Sequence, residues 1–256
     1  MAAQEKAENW DAYIAAYENG LPGSTTLRMD LINNVPFHNF PFIVITGISY
    51  KTTREDRFPE SGTLDFLYEV GEELTELITH VTQSLPVGSF THDGERLEYF
   101  YVSDTLHLKE EIEKYYTQKH AGFGFHLKVE EDKDWTCYQD FLYPNQEILN
   151  YMADASVVEN LKKGGDSLTK VRRVDHWLYF STARDMKKCK KEVEEQEFVI
   201  HTSRKIKSSS LNFQLQIWRT DKVDIDSINK ITSSLRKTAI KCDGNYDGWE
   251  TSIEQD

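Results

Sequence analysis

A chain of 256 residues with 39% hydrophobic and 12% aromatic side chains can bury more than one core, which excludes disorder as the default and leaves room for two ordinary domains. No stretch approaches the roughly 18 consecutive apolar residues of a membrane span, and "MAAQEKAENW" lacks the apolar core of a secretory leader. The net charge of −13 is unevenly held: residues 1–150 carry 11 Lys/Arg against 26 Asp/Glu, residues 151–256 carry 19 against 17. An acidic half repels nucleic acid, because binding it needs a positive surface to displace counterions.

In chain order, Trp10, Tyr13, Ile14 and Tyr17 fall at helical spacing and "ENGLPGS" ends that run, predicting a short amphipathic helix. "TTLRMDLIN" reads as a strand, and the continuously apolar "FPFIVITGISYK" as a more buried one. Leu67, Val70, Leu74, Leu77, Ile78 and Val81 recur as on a helix, and "FTHDGERLEYFYVS" is a hairpin turning at Asp93-Gly94. Leu108, Ile112 and Tyr115 mark a second helix and "GFGFHLKVE" a further strand. The first domain is therefore α+β, with two main helices and about five strands.

From Pro144 the pattern turns helical until Gly164-Gly165, a helix stop. The boundary is set near Pro144 to Asn150, with domains at 1–148 and 149–256. Strand "VDHWLYF", a helix over 184–196, strands "FVIHTSRKI" and "LNFQLQIW", a helix over 226–242 and strand "YDGWET" follow. Thr182 and Asp185 have capping spacing for the first of these helices. The order βαββαβ is the ferredoxin-like plan, an antiparallel sheet with both helices on one face.

That plan exposes the other face. Alternation turns Leu215 and Ile217 toward the helices and Gln214, Gln216 and Trp218 outward; it likewise separates His176 and Leu178 from Asp175, Trp177 and Tyr179. Trp177, Tyr179, Gln214, Gln216 and Trp218 thus form a candidate protein-binding platform. Coverage of that face by the linker helix or by the first domain is the competing reading.

Catalytic signals are missing. There is no phosphate loop, no G-x-S-x-G elbow and no H-E-x-x-H, and His120 and His126 are poorly spaced for a metal. Glu72, Glu73 and Glu76 read as a solvated helix face, and Cys137 has no basic neighbour to activate it. No enzyme, cofactor or metal is expected. Three dispersed cysteines, Cys137, Cys189 and Cys242, fit reduced thiols in the cytoplasm. "HAGFGFHLKV" resembles the core of the RNA-recognition-motif signature, but Ala121 stands where a basic residue belongs and Lys128 where the last stacking aromatic does. With its acidic surroundings, it reads as a closely packed strand.

"LKKGGDSLTKVRRVDHWLYFSTARD" followed by "GNYDGWET" resembles the bacterial family named for RraB, regulator of ribonuclease E activity B, across about residues 150–254. The matching features are Gly165-Asp166, His176 beside Trp177, and Tyr246-Asp247-Gly248-Trp249. "ENWDAYIAAYENGLPGSTTLRMDL" and "FPFIVITGISYK" resemble an uncharacterised bacterial domain family found in front of such domains. The resemblance implies a non-catalytic regulator that binds a ribonuclease and inhibits RNA cleavage; the lack of an apolar span argues against a membrane, and the acidic half disfavours direct nucleic-acid binding. It adds His176, Tyr246, Asp247 and Trp249 to the candidate contacts, although a structural role suits His176 and Trp249 as well. Characterised members are strongly acidic, whereas the matching half here is slightly basic. A nucleic-acid adaptor using the same sheet face, or a small-molecule-binding first domain, stay open as alternatives.

Overall fold

The computed structural model describes residues 7–207 and 210–255. The chain splits into two compact units, Met1–Asn145 and Gln146–Asp256. Both are α+β with antiparallel sheets. No helix among the described residues is long and apolar enough to cross a membrane.

The first unit holds β1 (Trp10–Ala16), β2 (Pro22–Arg28), β3 (Phe42–Ser49), α1 (Ser61–Val81), β4 (Ser84–His92), β5 (Glu95–Val102), α2 (Leu108–Lys119) and β6 (Phe125–Glu131). The sheet order is β1-β2-β4-β5-β3-β6. Asp93 and Gly94 both have positive φ, 44° and 81°, which closes the β4–β5 hairpin as its Asp-Gly pair predicts. Helices α1 and α2 bury Val70, Leu74, Ile78, Leu108, Ile112 and Tyr116 against Val44, Phe100 and Val102. On the opposite pleat Tyr101 stacks on Trp135, ring centroids 3.7 Å apart, and donates its hydroxyl to Asp132 at 2.5 Å.

Three expectations are corrected here. Residues 10–16 form a strand, paired with β2 from Trp10↔Arg28 to Ala16↔Pro22. Only Tyr13 of that stretch is buried, its hydroxyl donating to the Leu142 carbonyl at 3.0 Å, while Ile14 is 65% exposed. The helical spacing of the four apolar residues was coincidental: a hairpin with β2 satisfied the backbone instead. On α2 the residue turned inward is Tyr116; Tyr115 is half-exposed and donates to Glu73 at 2.8 Å. The strand "TTLRMDLIN" ends at Arg28, before a 3₁₀ turn over Met29–Leu31.

The second unit begins with α3 (Gln146–Lys163) and continues with β7 (Arg172–Phe180), α4 (Ala183–Glu194), β8 (Val199–Lys205), β9 (Phe213–Asp221), α5 (Ile225–Lys241) and β10 (Gly244–Thr251). Helix α3 ends where Gly165 takes φ +87°, with Gly165 N–H bonded to Lys162 O and Asp166 N–H to Leu161 O. That pair of bonds requires a left-handed residue, which glycine supplies without steric cost. After α3 the order is βαββαβ, the sheet order is β10-β7-β9-β8, and every pairing is antiparallel. Thr182 caps α4, its side chain accepting from Asp185 N–H. Helices α4 and α5 bury Cys189, Val193, Leu235 and Ala239 against Leu178, Leu215 and Ile217.

A buried polar chain joins α3 to this layer. Asp154 of α3, 1% exposed, accepts from Trp249 Nε1 at 3.0 Å, Thr232 Oγ1 at 2.5 Å and Asn229 Nδ2 at 3.2 Å. Arg236 Nη2 stands 3.6 Å from the same carboxylate, and its guanidinium lies over the Tyr246 ring at 4.8 Å. The Tyr246 hydroxyl shares a hydrogen bond of 2.9 Å with His176 Nδ1. Burial, reinforced by the charge of Arg219, pushes the His176 imidazole down to about 3.

Two outcomes follow from this chain. Asp154→Ala removes the acceptor of the Trp249 N–H and of the Asn229 amide and the carboxylate beside Arg236, and leaves Thr232 only its bond to the Asn229 carbonyl at 3.2 Å, so stability falls by about 3–5 kcal/mol in urea unfolding; a loss below about 1 kcal/mol would contradict the role given to Asp154. His176 is neutral in both states above its ordinary value of 6.5. As pH falls from 6.5 toward 3, the unfolded chain binds a proton that the folded chain resists, so stability declines by up to about 1.4 kcal/mol per pH unit. His176→Gln should show a slope shallower by that amount between pH 6.5 and 4.5; equal slopes would contradict it.

A candidate protein-binding face on the second sheet

The side of the β10-β7-β9-β8 sheet away from α4 and α5 follows from strand register. Asp175 pairs with Trp218, Trp177 with Gln216 and Tyr179 with Gln214. Paired residues share a face, and each of these alternates with a core residue: His176, Leu178, Leu215 and Ile217 are fully buried on the helix side. Trp177, Tyr179, Gln216 and Trp218 are half-buried, and Gln214 is buried among its neighbours.

Hydrogen bonds hold these side chains in place. Arg173 donates through Nε and Nη2 to the two oxygens of Asp175, both at 2.7 Å, and lies over the Trp218 ring at 4.7 Å. The Arg173 guanidinium holds the Asp175 carboxyl below its ordinary range. Gln216 Nε2 donates to Asp175 at 3.3 Å. Gln214 donates to the Tyr179 hydroxyl at 2.9 Å and accepts from Arg204 Nε at 3.0 Å. The result is a surface on which Tyr179 and Trp218 are held among satisfied polar groups, with Trp177 half-buried between them. Side chains held in this way have little left to order when a surface is covered, which lowers the entropic cost of association.

The motif residues lie elsewhere. His176, Tyr246 and Trp249 are interior members of the chain ending at Asp154 and present little or no surface. A register shift between Tyr246 and Gly248 puts an extra residue, Asp247, at a bulge. The bulge lets Tyr246 and Trp249, three apart, both face the helices, and leaves Asp247 exposed. Gly165 ends α3, and Asp166 forms a buried ion pair with Arg172 while accepting from the N–H groups of Leu168 and Glu254, each at 2.8 Å. Arg172 holds the Asp166 carboxyl well below its ordinary range.

Arg173 and Arg204 belong to the face but were not selected from sequence. Alternation along "VRRVDHW" puts Arg173 on the same side as Trp177, so that signal was present. Arg204 is set by the β8–β9 register, Arg204↔Gln214, beyond a shift between Ile200 and Thr202. In the first unit, Phe123 and Phe125 of the RNA-motif-like stretch stack on Phe66 and Tyr116, at 5.0 and 4.5 Å. Burial pushes the Cys137 thiol up to about 12, too high for a nucleophilic thiolate near neutral pH. Among the described residues no group of three or more His, Cys, Asp or Glu is arranged to hold a metal.

Comparison with protein families matches residues 152–251 to "Regulator of ribonuclease activity B", the RraB family, and residues 8–143 to a "Family of unknown function", DUF695. No curated protein matches the chain. The order of the two matches is the one carried by the sequence motifs at each end. The chain belongs to the DUF695 family, whose model covers more than half of it, and its residues 152–251 behind that region match the RraB family model.

Proposed function

We propose that the second unit is a ferredoxin-like, non-catalytic module that regulates an RNA-processing ribonuclease of the RNase E kind by occupying part of its surface in the cytoplasm. The observation that carries this reading is the pre-ordered face of β7 and β9, where Trp177, Tyr179 and Trp218 stand among Gln214, Gln216 and Asp175. The βαββαβ order with sheet order β10-β7-β9-β8 supports the fold assignment, and the family match supports the class of partner. Trp, Tyr and Arg are the residues most often found to dominate protein–protein affinity, above all when packed in place.

Electrostatics favour protein over RNA as the occupant. Arg173 is paired with Asp175 and Arg204 bonds Gln214, while Glu250, opposite Asp175 on β10, adds an exposed negative charge. A surface so compensated has little to offer a phosphate backbone. The acidic first half complements basic segments of an RNA-processing enzyme and speeds encounter.

The test is a cleavage assay with purified ribonuclease, an RNA oligonucleotide and the full chain, alongside affinity measurement by titration calorimetry. The chain should bind the enzyme and slow cleavage. Trp177→Ala/Trp218→Ala should weaken both at least about tenfold with an unchanged circular dichroism spectrum. Failure to bind would sink the proposal; so would steeply salt-dependent binding to the RNA alone that the double substitution removes, which would favour a nucleic-acid adaptor.

A further inference from the structure

We propose that the first unit carries a binding site for a small organic ammonium ion, in the cleft between α1 and the β1-β2-β4-β5 part of the sheet, with Glu98 as the charge partner. The site is independent of the ribonuclease reading. The cleft exists because α1 and α2 pack over β3 and β5, while the sheet continues on the same side to β4, β2 and β1. Its volume is about 320 Å³, at the lower end of the range for small-molecule sites.

Register shows what the floor is made of. Thr26 pairs with Ser89 and Ser89 with Glu98; beside them Ser24 pairs with Thr91 and Thr91 with Arg96. Glu98 alternates with Phe100, a member of the helix-covered core, so both rows face the helix side. Where the sheet passes beyond α1, the helix-side surface therefore changes from apolar side chains to hydroxyls and one ion pair.

Arg96 is held on all sides. It donates through Nε to Glu98 at 2.8 Å, through Nη1 to Thr91 at 3.2 Å and through Nη2 to Ser89 at 2.9 Å, with the Tyr68 ring 4.8 Å from its centre. Each nitrogen already has a partner and the charge already has a counterion, so an entering anion gains little. Glu98 is in the opposite position. Its side chain is 15% exposed and its Oε1 accepts from Arg96, but no protein donor among the described residues reaches Oε2. It lies beneath Gly71 of α1, where a Cβ would come within 2.9 Å of Oε1. Burial pushes this carboxyl up to about 7 even with Arg96 beside it. A carboxylate in that state lacks donors, and the cleft is the side from which one can come.

The sign and shape of the ligand follow. Residues 1–150 carry a net charge of −15 and the exposed carboxylate of Glu72 borders the cleft, so the local field attracts cations. Trp10 and Tyr68 also border it, 42% and 50% exposed. Aromatic rings beside a carboxylate suit an ammonium head on an apolar or aromatic body, the head donating to Glu98 Oε2 and the body resting on the rings.

The experiment titrates the full chain with three molecules of nearly equal size, phenethylamine, 2-phenylethanol and 3-phenylpropionate, reading affinity by NMR shift changes at neutral pH. The amine should bind saturably and at least about tenfold more tightly than the other two. Glu98→Gln keeps the side-chain shape and removes the charge; it should lose the amine about tenfold with the spectrum otherwise preserved. Tyr68→Ala, at the exposed rim, is a second variant that should weaken the amine several-fold whether or not the Glu98 variant folds. No saturable amine binding, tighter binding of the alcohol or the carboxylate, or unchanged amine affinity in the folded variants would overturn the proposal.

Discussion

The carboxylate of Asp154 is a negative charge placed in a packed layer, and the second unit is arranged around meeting its need for donors. An isolated charge there would cost several kcal/mol. Three hydrogen bonds and the nearby Arg236 offset that cost, and they come from α5 and β10, so the charge is satisfied only when α3, α5 and β10 are in register. The closing strand shares in this. Trp249 reaches Asp154 and Tyr246 reaches His176 because the bulge at Asp247 turns both inward. Gly165 and the Asp166–Arg172 pair do the corresponding work where α3 passes into β7.

This accounts for the position of the family-like motifs. Asp166, His176, Tyr246 and Trp249 lie on the buried side, where a change would leave a polar group without a partner, and Gly165 is held by its left-handed backbone at the end of α3. Trp177 and Trp218 lie on the other pleat, where a change alters contacts and leaves the core in place. The motifs therefore mark a shared fold, and on the proposed reading the half-buried pleat is where partner choice varies. The slightly basic charge of this unit is compatible with such variation: on that face Arg173 is ion-paired with Asp175, and Arg204 is hydrogen-bonded to Gln214.

Much of this was legible in the sequence. The period-2 alternation of "VDHWLYF" and "LNFQLQIW" is local, and it placed Trp177, Tyr179 and Trp218 on one pleat and His176 on the other. The helices of both units followed from apolar periodicity in the same way. What failed was of two kinds. Over residues 10–16 the apolar residues fit a helix, but the outcome was decided by pairing with β2, which local periodicity does not encode. The cleft around Glu98 and Arg96 depends on register across four strands and on the absence of a side chain at Gly71, so no local window contains it. Cys189 and Cys242 make the same point: 53 positions apart in the chain, their thiols meet in the α4–α5 core, where burial raises both.

The central claim is that the pleat bearing Trp177 and Trp218 is the surface that meets a ribonuclease. Hydrogen–deuterium exchange on the full chain, with and without the purified enzyme, tests it directly. The account predicts slowed exchange confined in the second unit to the peptides of β7, β8 and β9, with α4 and α5 unchanged. Slowing on α4 and α5 with β7 and β9 unaffected would contradict it.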